Sequence, residues 1–432
     1  MQHYSSRLIC LFLSLVLLET LNASDQIPGA PQKKPIALVN GVIHTVAGGV
    51  IPEGTLVFAE GRITEMGTRL APPAGADIVD LNGQHVYPSL IESHSQLGLQ
   101  ELSSTRATLD GSEGGLLNPN VNANVAVNPD SELIPVTRAN GVLIAVSAPS
   151  GGLVSGQASV MMMDGWTWEA MTLKSAAALV INWPSEPDTA NAAENRNSPG
   201  RQIRDLFSQA RQYLKARESD PLRQRFDIRL ASLEPVLEGR IPLLINADSV
   251  AQIQAAVAFA VEQQLKMILF GGYDAEQCAE LLKRYDVPVI ISAIHRDPQR
   301  DHEDYDAAFT LPERLRRAGV RFCISGSGRA ETWNTRNLPY QAATAAAYGL
   351  SREEALRAIT LYPAQILGVA DRVGSLEPGR DATLFVSTGD PLETETQITH
   401  AWIQGRKVDL SSRHTQLNAK YLEKYRQLAE GR

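Results

Sequence analysis

Residues 349–393 read GLSREEALRAITLYPAQILGVADRVGSLEPGRDATLFVSTGDPLE, and this stretch contains two kinds of structure in succession. In its first part Ser351 is followed three residues later by Glu354, a capping-box pattern that predicts a helix running towards Ile359. Its second part, residues 374–388, combines glycine turn signals with a β-rich run. The stretch therefore predicts a place where a helical layer gives way to β-structure.

Short strands with tight turns also occur near the other end of the chain. The segments ALVNGVIHTV and LVFAEGRITEMG, within residues 36–70, each place a residue-glycine pair between β-rich runs. Gln404-Gly405 does the same in ITHAWIQGRKV, and such pairs predict hairpins. Neither end has enough strands to fold alone. We therefore predict one small β-sandwich domain that combines residues 36–85 with residues 372–410.

The middle of the chain has a different rhythm, in which apolar strand candidates alternate with helical patterns. The apolar runs lie at 86–91, 142–148, 158–163, 177–182, 241–247, 266–271, 287–293 and 320–325. Eight such strands with helices over residues 86–371 predict an α/β fold, a (β/α)8 TIM-type barrel, for which ~250 residues is typical. A doubly wound open sheet is the alternative, and it is disfavoured because no phosphate-binding glycine fingerprint follows the early strands.

Composition and charge are those of a globular protein. Of the 432 residues, 44 % are hydrophobic and 20 % are charged, so a large buried core is expected. The formal net charge of −8 and the lack of basic runs argue against a nucleic-acid partner. We expect a small-molecule ligand or substrate as the partner, and self-association into a homo-oligomer stays open.

Both ends of the chain are predicted to lie outside the two domains. Arg7 precedes the apolar run 8–18, and small residues follow at 22–24, a pattern typical of an export signal over residues 1–24. The run is short for a membrane span. We predict an exported, periplasmic or secreted, protein with no membrane contact after removal of the signal, and the alternative is that the segment is retained as an anchor. Residues 411–432 are predicted to form a helical tail.

The remaining features of organisation are two cysteines and two polar inserts. Beyond the predicted signal the chain holds only Cys278 and Cys323, whose apolar contexts predict buried free thiols rather than a disulfide. Residues 99–140 and 184–200 are polar inserts, and loops of such length are typical of lids or disordered segments.

Reacting groups in a parallel barrel come from the C-terminal ends of the strands. Strand 1 ends with His94 and Gln96, and strand 5 ends with Asn246 and Asp248. These four side chains are therefore predicted to lie at one end of the barrel. Gln96 and Asn246 are candidates for binding a ligand, and Asp248 is a candidate acid or base.

Two loops add further candidates at the same end. The loop SGGLVSG after strand 2 contains Gly151 and Gly152, whose backbone N–H groups are candidates for binding an anion, and a tight turn is the alternative. The segment IHRDPQRDHEDYD after strand 7 contains His295 and His302 among several carboxylates. Such density suits metal binding or acid–base catalysis, and a solvated charged loop is the alternative.

Two stretches of the chain resemble the amidohydrolase superfamily. Residues 349–393 resemble the block in which that family closes its barrel and re-enters the β-domain. Residues 80–96, DLNGQHVYPSLIESHSQ, resemble its first barrel strand. The resemblance covers nearly the whole mature length. It implies the metal-dependent hydrolase fold and, by family, hydrolysis of non-peptide carbon–nitrogen bonds in small or cyclic amides.

The metal ligands that the resemblance implies are mostly replaced. The family's first strand normally ends His-x-His, and here His94 matches the first histidine while Gln96 replaces the second. The histidine positions of strands 5 and 6 read Asn246 and Gly271, and the aspartate position of strand 8 falls on Ser327. These replacements predict that His94 is the remnant of a metal site.

The chemistry of a catalytic metal explains this expectation. A divalent metal of this kind takes about three imidazole or carboxylate ligands and keeps a position open for water, whose pKa it lowers. Amide side chains offer neutral oxygens instead. Lys174 precedes strand 4 and so does not stand where it would bridge two metals. We expect no cofactor at full occupancy, with zinc as the metal if any is bound.

Three hypotheses about function remain open at this point. The first is a hydrolase of carbon–nitrogen bonds, and the second is a non-catalytic small-molecule-binding pseudoenzyme on the same barrel. The third is a hydrolase with a site rebuilt around His295 and His302. The candidate catalytic residues are His295, His302 and Asp248, and the candidate binding residues are Gln96, Asn246, Gly151 and Gly152.

Overall fold

The computed structural model of the protein describes residues 26–185, 198–326 and 332–430. The predicted export signal (residues 1–24) and Ser327 lie outside the described residues. Two eight-stranded sheets organise this part of the chain. Across the described ranges no helix has the length and apolar character needed to cross a membrane.

The strands and helices have the following bounds. The strands are β1 Ile36–His44, β2 Val50–Ala59, β3 Arg62–Thr68, β4 Asp77–Asp80, β5 His85–Pro88, β6 Leu90–Ser95, β7 Val142–Ser147, β8 Val154–Met162, β9 Thr172–Asn182, β10 Leu243–Ala247, β11 Met267–Gly271, β12 Val289–Ser292, β13 Phe322–Ser325, β14 Leu384–Ser387, β15 Ile398–Ile403 and β16 Arg406–Lys407. The α-helices are α1 Leu133–Arg138, α2 Trp168–Met171, α3 Pro199–Ser219, α4 Ile228–Ala231, α5 Glu234–Leu237, α6 Val250–Glu262, α7 Ala279–Arg284, α8 Ala307–Ala318, α9 Leu338–Ala347, α10 Arg352–Arg357, α11 Leu361–Ile366 and α12 Arg413–Glu430. Short 3-10 helices lie at Arg106–Thr108, Ala123–Ala126, Ala275–Cys278 and Thr332–Asn337.

The predicted barrel is confirmed. Strands β6 to β13 neighbour one another in sequential order, and β9 to β13 run parallel. The first and last strands meet, because the Ser93 hydroxyl on β6 donates to the Ile324 carbonyl on β13 at 3.4 Å. A doubly wound sheet has two free edge strands, so this contact excludes the alternative architecture.

One barrel strand runs against the expected direction. We expected a fully parallel barrel, but β8 is antiparallel to both β7 and β9. The reason is the length of the connection, since only residues 148–153 separate β7 from β8. A parallel crossover needs a dozen or more residues, whereas a tight turn joins antiparallel strands. Gly151 and Gly152 make that turn with φ angles of +82° and +63°.

The second sheet combines strands from both ends of the chain, as predicted. Its order is β16-β15-β14-β5-β1-β2-β3, with β4 paired to β1. The sheet folds over on itself, so that Phe58 of β2 meets Trp402 of β15 edge to face at 5.7 Å. The predicted hairpin at Asn40-Gly41 is wrong, because this pair forms an irregularity inside β1, where Asn40 has φ +56°.

The polar insert 99–140 is packed rather than a free lid. Its backbone bonds to the β7–β8 turn and to β8, with Asn118 N donating to the Val154 carbonyl at 2.8 Å and Gln157 N to the Val121 carbonyl at 2.7 Å. It also contains helix α1. The insert is therefore held in place by hydrogen bonds to β8 and to the turn before it. Of the other predicted insert, residues 186–197 lie outside the described residues.

The structure also bears on the predicted helix cap, the two cysteines and Lys174. The Ser351 side chain accepts the backbone N–H of Glu354 at the start of α10, as the capping pattern predicted. Cys278 and Cys323 are buried and free. Lys174 lies inside β9 rather than before it, which corrects the sequence assignment. Its ammonium donates to the Leu367 carbonyl at 2.9 Å, near the start of the strand and away from its C-terminal end.

Candidate functional site

His94 lies near the C-terminal end of β6 and is buried against a residue of β11. It is only 5 % exposed. Its imidazole stacks on the phenyl ring of Phe270, with ring centroids 3.7 Å apart and an interplanar angle of 17°. An aromatic ring therefore covers one face of the histidine that the sequence identifies as the remnant of a metal site.

The position of Phe270 corrects the prediction for strand 6. The sequence analysis placed the former ligand position at Gly271, at the end of β11. In the paired register Phe270 stands beside Asn246 of β10, whereas Gly271 stands beside Ala247. Because side chains alternate along a strand, Phe270 and Asn246 share one face of the sheet. The residue that meets His94 is therefore a large apolar one.

Two asparagines form an amide pair next to this ring stack. The Asn246 side-chain amide donates to the side-chain oxygen of Asn182, the last residue of β9. Asn182 in turn donates to the Gly152 carbonyl at 2.9 Å and to the Ser155 hydroxyl at 3.1 Å. The Asn246 side-chain oxygen is buried and has no hydrogen-bond partner among the described residues. The pair thus presents amide groups where the family would place ligands.

The glycine loop packs closely against its neighbours, and binding of an anion by its backbone N–H groups stays a prediction. Gly151 and Gly152 direct their carbonyl oxygens to Asn182. The neighbouring Leu153 N–H is bonded to the Leu116 carbonyl at 2.8 Å. A β-carbon on Gly152 would lie 2.8 Å from that same carbonyl oxygen, so glycine is needed for close packing. These contacts describe a packed turn.

Gln96 lies under the long polar insert. A β-carbon on Gly111 would be 3.2 Å from the Gln96 side-chain oxygen, so the amide packs directly against this part of the insert. The Gln96 backbone carbonyl also accepts the Leu99 N–H at 2.9 Å. The second position of the family's His-x-His pair is therefore occupied by a packed amide side chain.

Glu92 is a buried carboxylate that the sequence analysis did not single out. It is fully buried on β6 and accepts the Ser325 hydroxyl at 2.6 Å, the Gly326 N–H at 2.8 Å and the His94 N–H at 3.1 Å. These bonds tie the first barrel strand to the last. The signal for it was present in the sequence, since an acid inside an apolar strand requires hydrogen-bond partners.

The interior of β13 offers no activated nucleophile. The Ser325 hydroxyl is fully buried and directed to Glu92 and to the His94 carbonyl, the latter at 3.1 Å. Burial raises the pKa of the Cys323 thiol to about 12. A thiol of that kind remains protonated at neutral pH and does not react as a thiolate.

Asp248 lies just beyond β10, at the start of the loop that leads into α6. Its backbone N–H donates to the Gln252 side-chain oxygen at 3.2 Å, and its carbonyl accepts the Asp274 N–H at 2.9 Å. Ser249 then caps α6 through a complete capping box with Gln252. The loop geometry therefore holds Asp248 at the C-terminal end of the barrel, as predicted.

Comparison with known proteins shows which proteins share this architecture. A profile of the Amidohydrolase family matches residues 305–409. An amidohydrolase from Thermotoga maritima MSB8 is 26 % identical, with a TM-score of 0.79 over 87 % of this chain and 99 % of that one. The chain belongs to the amidohydrolase superfamily. An adenosine deaminase from Xanthomonas campestris with bound zinc shares the fold at 17 % identity, with a TM-score of 0.50 over 93 % of this chain and 99 % of that one.

A curated amidohydrolase of another kind is also similar. Amidohydrolase tasK from Hapsidospora irregularis is 21 % identical over 393 residues, or 82 % of this chain. The chain spans only 39 % of the length of that relative. The match therefore supports the family. The activity of that relative belongs to a much longer protein and is not assigned to this chain.

The residues of this amidohydrolase-family chain do not fit the metal that the family implies. In the described residues no group of three histidine, cysteine, aspartate or glutamate side chains is placed to hold a metal ion. Two of the positions that the family fills with histidines hold the amides Gln96 and Asn246, and Phe270 covers a face of the His94 imidazole. Zinc prefers imidazole, thiolate or carboxylate ligands, about three of them from the protein. We derive no chemical step through such an ion.

The two loop histidines, His295 and His302, differ in their surroundings. The His295 ring nitrogen Nε2 lies 2.7 Å from the Thr344 hydroxyl on α9, a helix of the outer layer. Its backbone N–H donates to the Gln341 side chain at 2.8 Å, and partial burial lowers the pKa of the imidazole. His302 is exposed. These contacts place His295 against the outer-layer helix α9, and a site rebuilt around His295 and His302 stays a prediction.

Proposed function

We propose that this amidohydrolase-family protein binds a small amide-containing molecule at the C-terminal end of its barrel without the family's metal-activated water. The observation that carries the proposal is the stack of Phe270 on His94. An imidazole packed flat against a phenyl ring inside a barrel has the environment of a core residue. The second strand-1 position is an amide rather than a second imidazole.

The asparagine pair supports an amide as the ligand. Asn246 has a buried side-chain oxygen with no partner in the described part of the chain, and its amide nitrogen is already bonded to Asn182. A buried acceptor without a partner costs roughly 1–3 kcal/mol. An N–H group of a bound ligand would remove that cost. An amide-containing molecule supplies both the donor and a neutral body that suits this partly apolar environment.

Hydrolysis of a carbon–nitrogen bond is the second candidate. It is supported by membership of the superfamily and by Asp248, which the loop after β10 holds at the end of the barrel where reacting groups belong. A carboxylate there could act as a general base only if a ligand brings water within hydrogen-bond reach. The contacts of His295 and His302 do not add to this candidate.

The test is a binding and turnover assay on purified protein. Calorimetry would measure binding of cyclic amides and N-acyl amino acids, and mass spectrometry would follow their cleavage with and without added zinc. We expect binding that weakens in Asn246→Leu and is unchanged in the control Asn418→Leu, which alters an exposed asparagine of α12. Cleavage that requires zinc and disappears in His94→Ala would overturn the proposal. Zinc-independent cleavage lost in Asp248→Asn would favour the second candidate.

We also propose that the protein is exported. The support is the sequence pattern of residues 1–24, a cationic start followed by an apolar run and small residues. N-terminal sequencing of protein recovered outside the cytoplasm should begin near residues 20–26. An intact Met1 on such protein would contradict cleavage. Light scattering on the same sample would settle whether the chain forms a homo-oligomer.

A further inference from the structure

Three loops at the C-terminal end of the barrel place charged side chains beside one another. The loops follow β10, β11 and β12, and they contribute Asp248, Tyr273 with Asp274, and two arginines, Arg296 and Arg300. The two arginines lie on the same loop and are four residues apart. Their surroundings differ, and this difference points to a ligand site.

Arg300 is saturated by acidic partners. Its guanidinium donates to both oxygens of Asp274, at 2.9 Å and 2.6 Å, and to Glu303 at 2.8 Å. Such a two-pronged pair uses the fork of the guanidinium and fixes its orientation. Arg300 therefore serves to hold two loops together and has little capacity left for a ligand.

Arg296 has no such partner. The centre of its guanidinium lies 3.8 Å from the centroid of the Tyr273 ring, which places it over the aromatic face. Among the described residues its one side-chain hydrogen bond runs from Nη1 to the Asp297 carbonyl at 3.3 Å, and no carboxylate in that part of the chain forms an ion pair with it within 4 Å. Its Nε is buried and has no hydrogen-bond partner among the described residues. Most of its five N–H donors are therefore uncommitted.

The electrostatic setting of Arg296 favours one negative charge. Burial lowers the pKa of this guanidinium, because a cation removed from water is destabilised. Asp248, Asp274 and Glu303 lie near enough to oppose that effect. A monoanion would complete the shell of the cation, and these carboxylates repel it about half as strongly as they would repel a phosphate dianion. The planar fork of arginine matches a carboxylate in geometry.

We propose that Arg296, held over Tyr273, binds the carboxylate of a small ligand at the barrel end. The ligand class is thus a small amide that also carries a carboxylate, such as an N-acyl amino acid. This inference rests on the proposed function and narrows it. Arg296 acts as a residue that determines specificity and does not take part in bond cleavage.

The experiment compares one charged and one neutral probe of nearly equal shape. Calorimetry would measure binding of N-benzoylglycine and of N-benzoylglycinamide to the unmodified full chain and to Arg296→Gln, Arg296→Lys and Arg300→Gln. Arg300→Gln is the matched control, because it removes the same charge from the same loop. Thermal denaturation of each variant would establish that it is folded.

The charged probe should bind more tightly than the neutral one. Arg296→Gln should weaken binding of N-benzoylglycine at least 10-fold, Arg296→Lys should weaken it less, and Arg300→Gln should change it less than 3-fold. Binding of the neutral amide should stay the same in all variants. Equal affinity for the two probes, no binding of N-benzoylglycine, or its unchanged affinity in Arg296→Gln would overturn the inference. If the neutral amide still bound, and bound more weakly in Asn246→Leu, the proposed function would be supported even though the inference about Arg296 had failed.

Discussion

Glu92 and His94 are two residues apart on the same strand, and their surroundings differ in kind. Glu92 accepts three hydrogen bonds, two of them from the last barrel strand and the residue after it. His94 packs its ring on Phe270. The first residue ties the first barrel strand to the last, and the second is covered on one face by an aromatic ring. In this chain the hydrogen bonds that close the barrel therefore do not involve the His94 ring.

The largest effect should come from breaking the barrel closure. Glu92→Ala removes the acceptor of the His94 and Gly326 N–H groups and leaves the Ser325 hydroxyl with only the His94 carbonyl, so the free energy of unfolding should fall by roughly 2–4 kcal/mol. Chemical denaturation would measure this. Ser325→Ala is the control, because it removes one donor and keeps the carboxylate, and it should cost only about 1 kcal/mol. Equal losses in the two variants would mean that Glu92 does not close the barrel.

Restoring imidazoles around His94 should create a zinc site. Gln96→His alone should add little affinity, since three protein ligands are the usual minimum. The triple change Gln96→His, Asn246→His and Phe270→His should tighten zinc binding at least 100-fold, about 2.7 kcal/mol. Competition with a chromophoric chelator would measure it. The same triple change combined with His94→Ala is the control, and unaltered affinity there would show that His94 does not take part.

Acid stability should depend on a histidine remote from the barrel end. His44 hydrogen-bonds to His85 at 2.9 Å and stacks on Tyr87, and burial and the neighbouring His85 lower the pKa of His44 to about 4, with Asp390 acting in the opposite sense. The unfolded chain therefore binds more protons between pH 6.5 and 4. Because His44 is only partly buried, water screens part of this effect, and the free energy of unfolding should fall by roughly 1–2 kcal/mol as the pH falls through that range.

A pair of variants separates this histidine from the one at the barrel end. His44→Phe keeps a ring on Tyr87 and cannot titrate, so its stability should depend less on pH over that range. On acidification, the free energy of unfolding of His94→Ala should fall as much as that of the unmodified protein. Denaturation curves recorded at several pH values would compare the two variants. Loss of the pH dependence in His94→Ala would contradict the prediction, because it would show that His94 rather than His44 causes the effect.

The architecture was predictable because its signals are local. Runs of apolar residues gave the barrel strands, and the Glu60-Gly61 and Gln404-Gly405 pairs lie at observed hairpins. Asn40-Gly41 looks the same in sequence but belongs to an irregularity within β1. The direction of β8 was missed for a similar reason, since the strand pattern carries no direction and only the short connection at 148–153 determines it.

The site was predictable only in part. His94, Gln96 and Asn246 were found because each stands at or just beyond the end of an apolar run. Phe270 was missed, because its meeting with His94 depends on the register between β10 and β11 and on the closure of the barrel. The separate roles of Arg296 and Arg300 depend on contacts between loops, which a single sequence does not reveal.

The most direct test of this account is the zinc content of the purified, full-length unmodified protein. Elemental analysis after equilibration with zinc and removal of loosely bound ions should give well below one zinc per chain, because one imidazole stacked on Phe270 and two amides make a poor ligand set. His94→Ala should give the same value. One tightly bound zinc per chain that is lost in His94→Ala would contradict the account.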